Sequence, residues 1–168
     1  AFDLDIAAIA LTAEGKVRTE QDMCYFNNLS ILDGAVAHTG DNLVGTADGS
    51  EGEVIAINLE KITALNAAEP DASKHIAAVV IVGSIYDAPD APTSQTFGQV
   101  TGAVIGVVDA SNNTELAKFE LGEDHSVETA VEVARLYIRD GGWSFRAVDQ
   151  GWTDGLAAIC RNYGIQVK

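Results

Sequence analysis

The chain is poor in cysteine and in positive charge, and both shortages limit what it can be. Only Cys24 and Cys160 are present, far apart and outside any CxxC spacing. A disulfide framework or a zinc knuckle is therefore not indicated, and we expect two reduced, half-buried thiols. Ten lysines and arginines face 25 aspartates and glutamates, which gives a formal net charge of −15. Nucleic-acid phosphates and anionic membrane surfaces repel such a chain, so a cation is its expected partner.

Long apolar runs are also missing. No stretch approaches the roughly 18 residues that a membrane-spanning helix needs, and the N-terminal AFDLDIAAIA lacks the basic flank of a signal peptide. We therefore expect a cytoplasmic protein with no direct membrane insertion. The length of 168 residues suits one hydrophobic core better than two, so a single domain over residues 1–168 is expected.

Catalytic motifs are absent as well. The chain has no GxxxxGK[ST] loop, no GxGxxG after a strand, no GxSxG elbow and no HExxH helix. His38, His75 and His125 lie in polar segments, and nothing places one of them beside a nucleophile. We therefore expect solvated or capping histidines and predict no catalytic residue.

Most of the chain alternates with period two, which is typical of half-buried strands. FDLDIAAIAL, MCYF, EVIAINL and ELAKFEL follow this pattern, whereas HIAAVVIVGSIYD and QVTGAVIGVVD are more continuously apolar, as strands covered on both faces are. In GGWSFRAVDQGW, Trp143 and Phe145 alternate with Ser144 and Arg146, so both rings are expected on the core side. Strands at these intervals predict a two-sheet β-sandwich.

Two segments have helical spacing instead. In SVETAVEVARLYIRDGG the apolar residues predict an amphipathic helix that begins after Ser126 and stops at Gly141 or Gly142. TDGLAAICRNYGI repeats the pattern on a smaller scale and ends at Gly164. EKITALNAAEPDASKH is expected to begin with a helical turn and to end in a polar loop that contains a proline. The expected fold class is thus mainly β, a two-sheet sandwich with two short amphipathic helices packed at its edge.

The acidic segment HTGDNLVGTADGSEGEV, residues 38–54, holds four carboxylates, four glycines and no lysine or arginine. Carboxylates at this density repel one another unless they stay solvated or surround a cation. Oxygen ligands on a glycine-rich loop suit Ca²⁺ better than zinc or copper. Asp3 and Asp5 share one face of the first predicted strand, which is hard to explain as core. The alternative is a solvated acidic rim.

A second candidate calcium-binding segment is DASNNTELAKFE, residues 109–120. It has Asp, Ser, Asn and Glu at loop positions 1, 3, 5 and 12 of an EF-hand, but Thr114 stands where the sharp turn needs glycine. Its second half alternates like a strand. A β-hairpin turn around DASNNT is therefore the preferred interpretation.

Several blocks, taken in order, resemble the TerD family of tellurite-resistance and stress proteins. The matching blocks are DLD, YFNN, DGAVAHTGDN with its acidic continuation, SIYDA, QTFGQV, LGEDHSVETA, WSFRAVDQGW and GLAAICRNYGIQV. The resemblance covers nearly the whole chain. It implies a β-sandwich fold, a non-catalytic calcium-binding role, and a place in a stress-resistance assembly of proteins near the inner membrane.

The resemblance also implies a set of calcium ligands. By position in the family's motifs these are Asp3, Asp5, Asn27, Asn28, Asp41, Asn42, Asp48, Gly49 and Glu51. The chain departs from the family's denser acidic run at Ser50 and Gly52, and fewer anionic ligands should weaken cation binding. It also begins at Ala1 without the strand region that usually precedes DLD. A second function class stays open at this point, a metal-dependent enzyme or binder that acts on a phosphorylated small molecule.

Overall fold

The computed structural model describes residues 4–38, 54–85, 104–120, 129–152 and 155–166. Ten strands account for about half of this part of the chain. They are β1 (Leu4–Leu11), β2 (Met23–Cys24), β3 (Ser30–Ile31), β4 (Val36–His38), β5 (Ile55–Ile57), β6 (Ala78–Ile85), β7 (Val104–Asp109), β8 (Thr114–Glu120), β9 (Ala130–Arg139) and β10 (Gly142–Trp152). Two α-helices accompany them, α1 (Leu59–Ala68) and α2 (Gly155–Asn162).

The largest sheet has five antiparallel strands in the order β10-β9-β6-β1-β2. Two smaller antiparallel sheets have the orders β3-β4-β5 and β7-β8. The expected mainly β fold is confirmed, and so are the strands expected in FDLDIAAIAL, HIAAVVIVGSIYD and GGWSFRAVDQGW. Residues 109–114 form the turn of the β7–β8 hairpin, and the strand β8 occupies the second half of the rejected EF-hand segment.

Two apolar layers cover the two faces of the large sheet. The larger layer lies on one face, where residues such as Ala8, Val79 and Val133 pack with side chains from the small sheets and with Ile62 of α1. On the other, Ile9 and Val80 pack against Ile159 of α2. Since side chains alternate along a strand, successive residues of β1 and β6 enter different layers. This explains why β6 is buried along its whole length.

The helix expected after Ser126 is wrong. Residues 130–139 form the strand β9, which pairs with β6 on one side and with β10 on the other. Its first five residues are all buried, because one face meets the small sheets and the other meets α2. An amphipathic helix would instead leave one side in water. Residues 121–128, including Ser126, lie outside the described part of the chain.

Within the described residues, α1 is formed by LEKITALNAA, where only a first helical turn was expected, and α2 by GLAAICRN. In α1 the Asn58 side chain accepts a hydrogen bond from the Lys61 backbone N–H at 3.1 Å, an N-cap that the sequence interpretation overlooked. The helix α2 was expected. After it, the Ile165 N–H donates to the Cys160 carbonyl at 2.9 Å, and Gly164 has φ of +89°. That arrangement is a Schellman motif, in which glycine takes the left-handed position. No helix in the described residues is long and apolar enough to cross a membrane.

The histidines differ from expectation at one position. His38 is buried in β4, with 6% of its surface exposed, rather than solvated. The ring Nε2 of His75 lies 2.8 Å from the Glu69 carbonyl oxygen just after α1, which agrees with a capping role. His125 lies outside the described residues.

Candidate functional site

The expected calcium ligands divide into a described and an undescribed group. Outside the described residues lie Asp3, Asp41, Asn42, Asp48, Gly49 and Glu51. The structure describes Asp5, Asn27 and Asn28. Within the described ranges, no group of three or more histidine, cysteine, aspartate or glutamate side chains is close enough together to hold a metal ion. The described residues therefore bear on the site only through the positions of these three residues and of the segment ends around them.

Asp5 is a buried acid on an apolar strand. It lies in β1 directly opposite Ser84 of β6, and only 5% of Asp5 and 4% of Ser84 is exposed. Residues directly opposite each other share a face, so the carboxylate and the hydroxyl are neighbours. A carboxylate is buried only where hydrogen bonds, a cation or a proton compensates for its lost hydration. The burial of Asp5 therefore fits both a ligand and an acid with partners inside the protein, and Asp5 does have an interaction within the chain.

Asn27 and Asn28 lie in a tight turn that follows β2. The backbone N–H groups of Tyr25 and Asn28 each donate to the other residue's carbonyl at 3.0 Å. The Asn28 side-chain amide nitrogen donates to the carbonyl oxygens of Gln21 at 3.1 Å and Met23 at 3.0 Å. The amide oxygen of Asn28 takes no part in these two bonds and is the atom of this side chain that would coordinate a cation. Asn27 is exposed at the tip of the turn.

Strand directions bring these residues to one end of the fold. Because β2 is antiparallel to β1, with Cys24 opposite Ala8, the chain after Cys24 runs toward the Asp5 end of β1. The His38 N–H donates to the Leu29 carbonyl at 2.7 Å, directly after the turn. His38 also pairs with Ile55, so the two flanks of residues 39–53 are neighbours there.

A polar cavity of about 820 Å³ lies beside Asn28. Its lining contains a bidentate ion pair, with Arg18 Nε 2.8 Å from Asp22 Oδ2 and Arg18 Nη2 2.9 Å from Asp22 Oδ1. The hydrogen bond with Asp22 raises the pKa of Arg18. Sequence reasoning missed this pair, although an arginine four residues before an aspartate was visible just ahead of the arginine- and lysine-free stretch of residues 19–60.

The wall of this cavity contains an unusual backbone turn. Leu32, Asp33 and Gly34 have φ values of +53°, +55° and +87°, so two non-glycine residues adopt the left-handed region in succession. Such strain persists only where surrounding contacts enforce it. Here Leu32 is buried in the larger apolar layer and the Ala35 N–H donates to its carbonyl at 3.0 Å. The turn places Asp33 on the cavity rim.

Both thiols are protected from chemistry. Cys24 and Cys160 are buried and free, as expected, although more deeply than the half-burial that composition suggested. Burial raises the pKa of Cys24 to about 11 and also raises the pKa of Cys160. Because the thiolate is the nucleophile, neither side chain is prepared for covalent catalysis at neutral pH.

Comparison with known proteins completes the description of the site. The family model described as TerD domain matches residues 1–163. The chain is 42% identical over 167 residues to the tellurium resistance protein TerD of Serratia marcescens, covering 99% of this chain and 80% of that protein. It is 37% identical to general stress protein 16U of Bacillus subtilis, covering 99% of this chain and 79% of that protein.

The fold has counterparts among solved structures. A crystal structure of a TerD homologue from Streptomyces coelicolor A3(2) matches with a TM-score of 0.69 and 20% identity. The match covers 94% of this chain and 83% of the other. At that identity the likeness concerns the fold alone.

Proposed function

The chain belongs to the TerD family of tellurium- and stress-resistance proteins, and on that premise we propose that it is a non-catalytic calcium-binding protein. It acts as a binding or scaffold component in the stress response, and other proteins of a resistance assembly are its partners. Bound calcium gives the acidic end of the fold a defined shape. The chain's own residues supply the ligands and no reaction takes place.

The observation that supports this proposal is the meeting of oxygen-bearing residues at one end of the fold. The turn of Asn27 and Asn28 and the two flanks of residues 39–53 lie at that end, which is also the end of β1 that carries Asp5. Asp41, Asn42, Asp48, Gly49 and Glu51 all belong to the segment between those flanks. Strands β4 and β5 thus tether both ends of the most acidic segment at this end of the fold, on the sheet face opposite to the one from which Asp5 projects.

The donor chemistry fits calcium. Carboxylates, amide carbonyls and backbone carbonyls are hard oxygen ligands, and Ca²⁺ accepts six to eight of them in irregular geometry. Asp5 would hold the ion from β1, with Asp3 two residues before it in the sequence, and Asn27 or Asn28 would hold it from the turn. The segment after His38 would supply the remaining ligands. When bound, the ion supplies charge neutralisation, which removes the repulsion among carboxylates in a chain of net charge −15.

Isothermal titration of metal-stripped protein with CaCl₂ tests the proposal. We expect saturable binding in the wild type and weaker binding in Asp41→Asn, which removes one charge at nearly constant size. Asp140→Asn is the matched control, since it removes the same charge from an exposed turn of the β9–β10 hairpin. No binding by the wild type, or equal binding by both variants, would contradict a calcium site at residues 38–54.

A further inference from the structure

Arginines are concentrated on one hairpin of this acidic protein. The chain has five arginines, and three of them, Arg135, Arg139 and Arg146, belong to β9 and β10. Arg135 and Arg139 are four residues apart on β9, so both project from the same face of the sheet. That face also carries the half-buried Tyr137 and packs against α2. Because Arg146 lies opposite Arg135, it projects from the same face. The three guanidinium groups therefore share the α2 side of the sheet.

The pairing of Arg146 with Arg135 is unfavourable by itself. In an antiparallel pair, directly opposite residues have Cβ atoms roughly 4.5 to 5.5 Å apart, and like charges at that spacing destabilise the sheet. The register is fixed by well-formed pairs on both sides, Phe145 with Leu136 and Ala147 with Ala134. These apolar residues face the opposite layer, so the fold cannot relieve the repulsion by a one-residue slip.

Among the residues that the structure describes, only Arg135 of the two has side-chain partners. Arg135 Nη2 lies 3.4 Å from Glu132 Oε1 and 3.1 Å from the Tyr163 hydroxyl. Arg146 is exposed and has no hydrogen bond or ion pair with any residue that the structure describes. The donors of Arg146 and the remaining donors of Arg135 are thus free to bind an anion between them.

Neighbouring groups favour a small anion with several oxygens. The next pair along the same face is Ser144 opposite Tyr137, which places two hydroxyls beside the arginines. Guanidinium forks match the oxygens of a phosphate in bidentate geometry. The net charge of −15 opposes the approach of an extended anionic surface, whereas a single small anion meets much less of that repulsion.

We propose that Arg135 and Arg146, directly opposite on β9 and β10, bind the phosphate group of a soluble phosphomonoester on the α2 side of the sheet. The bound dianion neutralises Arg146 and offsets its repulsion with Arg135, which keeps its contact with Glu132. This site is separate from the proposed calcium site, because its residues come from the other edge of the five-stranded sheet. It involves no reaction and needs no metal.

The test is a titration of calcium-free protein with glycerol phosphate and with inorganic phosphate, at constant ionic strength set by chloride. We expect both probes to bind, with Arg146→Gln raising the dissociation constant about tenfold or more, the equivalent of one strong charged hydrogen bond. Arg146→Lys keeps the charge but loses the fork, so an intermediate loss is expected. Lys118→Gln removes an exposed charge from β8, in another sheet, and should bind like the wild type.

Three outcomes would overturn the proposal. The first is unchanged phosphate binding in Arg146→Gln, and the second is an equal loss in Lys118→Gln, which would indicate unspecific screening. The third is binding to phosphatidic acid vesicles without binding to glycerol phosphate, which would assign the arginines to a membrane surface. A circular dichroism spectrum and an unfolding midpoint of Arg146→Gln that match the wild type establish that the variant is folded.

Discussion

The hydroxyl of Tyr163, just after α2, donates a hydrogen bond to the buried carboxylate of Glu132 near the start of β9. Arg135 approaches the same two groups and completes a polar cluster between the helix and the sheet. Glu132 is 5% and Tyr163 6% exposed, so their hydrogen bond is inside the protein, whereas the Arg135 side chain is 33% exposed. A buried carboxylate keeps its charge only with partners of this kind. The cluster therefore attaches the C-terminal helix to the sheet by position-specific contacts.

Removing the hydroxyl should weaken this attachment. In Tyr163→Phe, Glu132 loses one of its two partners while the apolar ring packing remains. We expect a loss of about 1 to 3 kcal/mol in the free energy of unfolding, as for other buried hydrogen bonds to charged groups. Tyr137→Phe is the matched control, because it removes a hydroxyl from a half-buried residue of β9, the strand that carries Glu132. Urea unfolding of both variants measures the difference, and equal stabilities would contradict the assigned role.

The same contact predicts a loss of stability in alkali. Burial, followed by the hydrogen bond with Glu132, raises the pKa of Tyr163 to about 12. The ordinary value is about 10, so between these values the folded state holds a proton that the unfolded state releases. Its contribution to stability is complete below pH ~10 and is lost as the pH rises toward 12.

Unfolding midpoints measured over that range should therefore fall more steeply in the wild type than in Tyr163→Phe. The raised pKa of Cys24, about 11, acts in the same direction in both proteins and cancels in the comparison. Parallel pH profiles would show that Tyr163 titrates normally.

Trp143 offers a third prediction. It packs against the larger apolar layer but is only half buried, and its Nε1 donates to the Thr63 hydroxyl of α1 at 3.0 Å. Because part of the ring is in water, we expect Trp143→Ala to cost about 3 kcal/mol, the lower end of the range for aromatic residues in cores. Trp143→Phe keeps much of the packing and should cost about 1 kcal/mol, mainly for the lost hydrogen bond. Thermal unfolding of the two variants checks the order, and equal costs would mean that packing is unimportant there.

The sequence predicted strands correctly where apolar and polar residues alternate clearly within the segment itself. Trp143 and Phe145 pack against the larger layer and Arg146 is exposed, as their alternation indicated. The strand β9 was misjudged because its apolar residues satisfy both the helical and the strand period. What decides between them is pairing with β6 and β10, whose residues are distant in sequence and leave no mark in the local pattern.

The candidate sites show the same limit. Residue types identified Asp5, Asn27 and Asn28, because carboxylates on an apolar strand and paired asparagines are conspicuous. The sequence could not indicate that Arg146 meets Arg135, since that relationship depends on the register of β10. Likewise, Glu132 reads as an exposed helix position until the strand assignment turns it toward Tyr163.

Asp5→Asn distinguishes a calcium ligand from a purely structural acid. If Asp5 binds the ion, the wild type should gain about 2.7 kcal/mol of stability when free Ca²⁺ exceeds its dissociation constant a hundredfold. Mg²⁺ should stabilise less, because it demands a smaller octahedral shell. Asp5→Asn should reduce the calcium effect and leave the calcium-free protein at least as stable as the wild type, since a buried charge has been removed.

Asp140→Asn again serves as the control, since its carboxylate is 93% exposed and contacts only Arg139 among the ion pairs of the described residues. Thermal midpoints with chelator, with Ca²⁺ and with Mg²⁺ make the comparison for all three proteins. A structural acid hydrogen-bonded within the protein gives the opposite pattern. Asp5→Asn would then be destabilised in chelator and would keep the full calcium shift, because the lost contacts do not involve the ion. That result would remove Asp5 from the ligand set and leave the segment after His38 to bind calcium without β1.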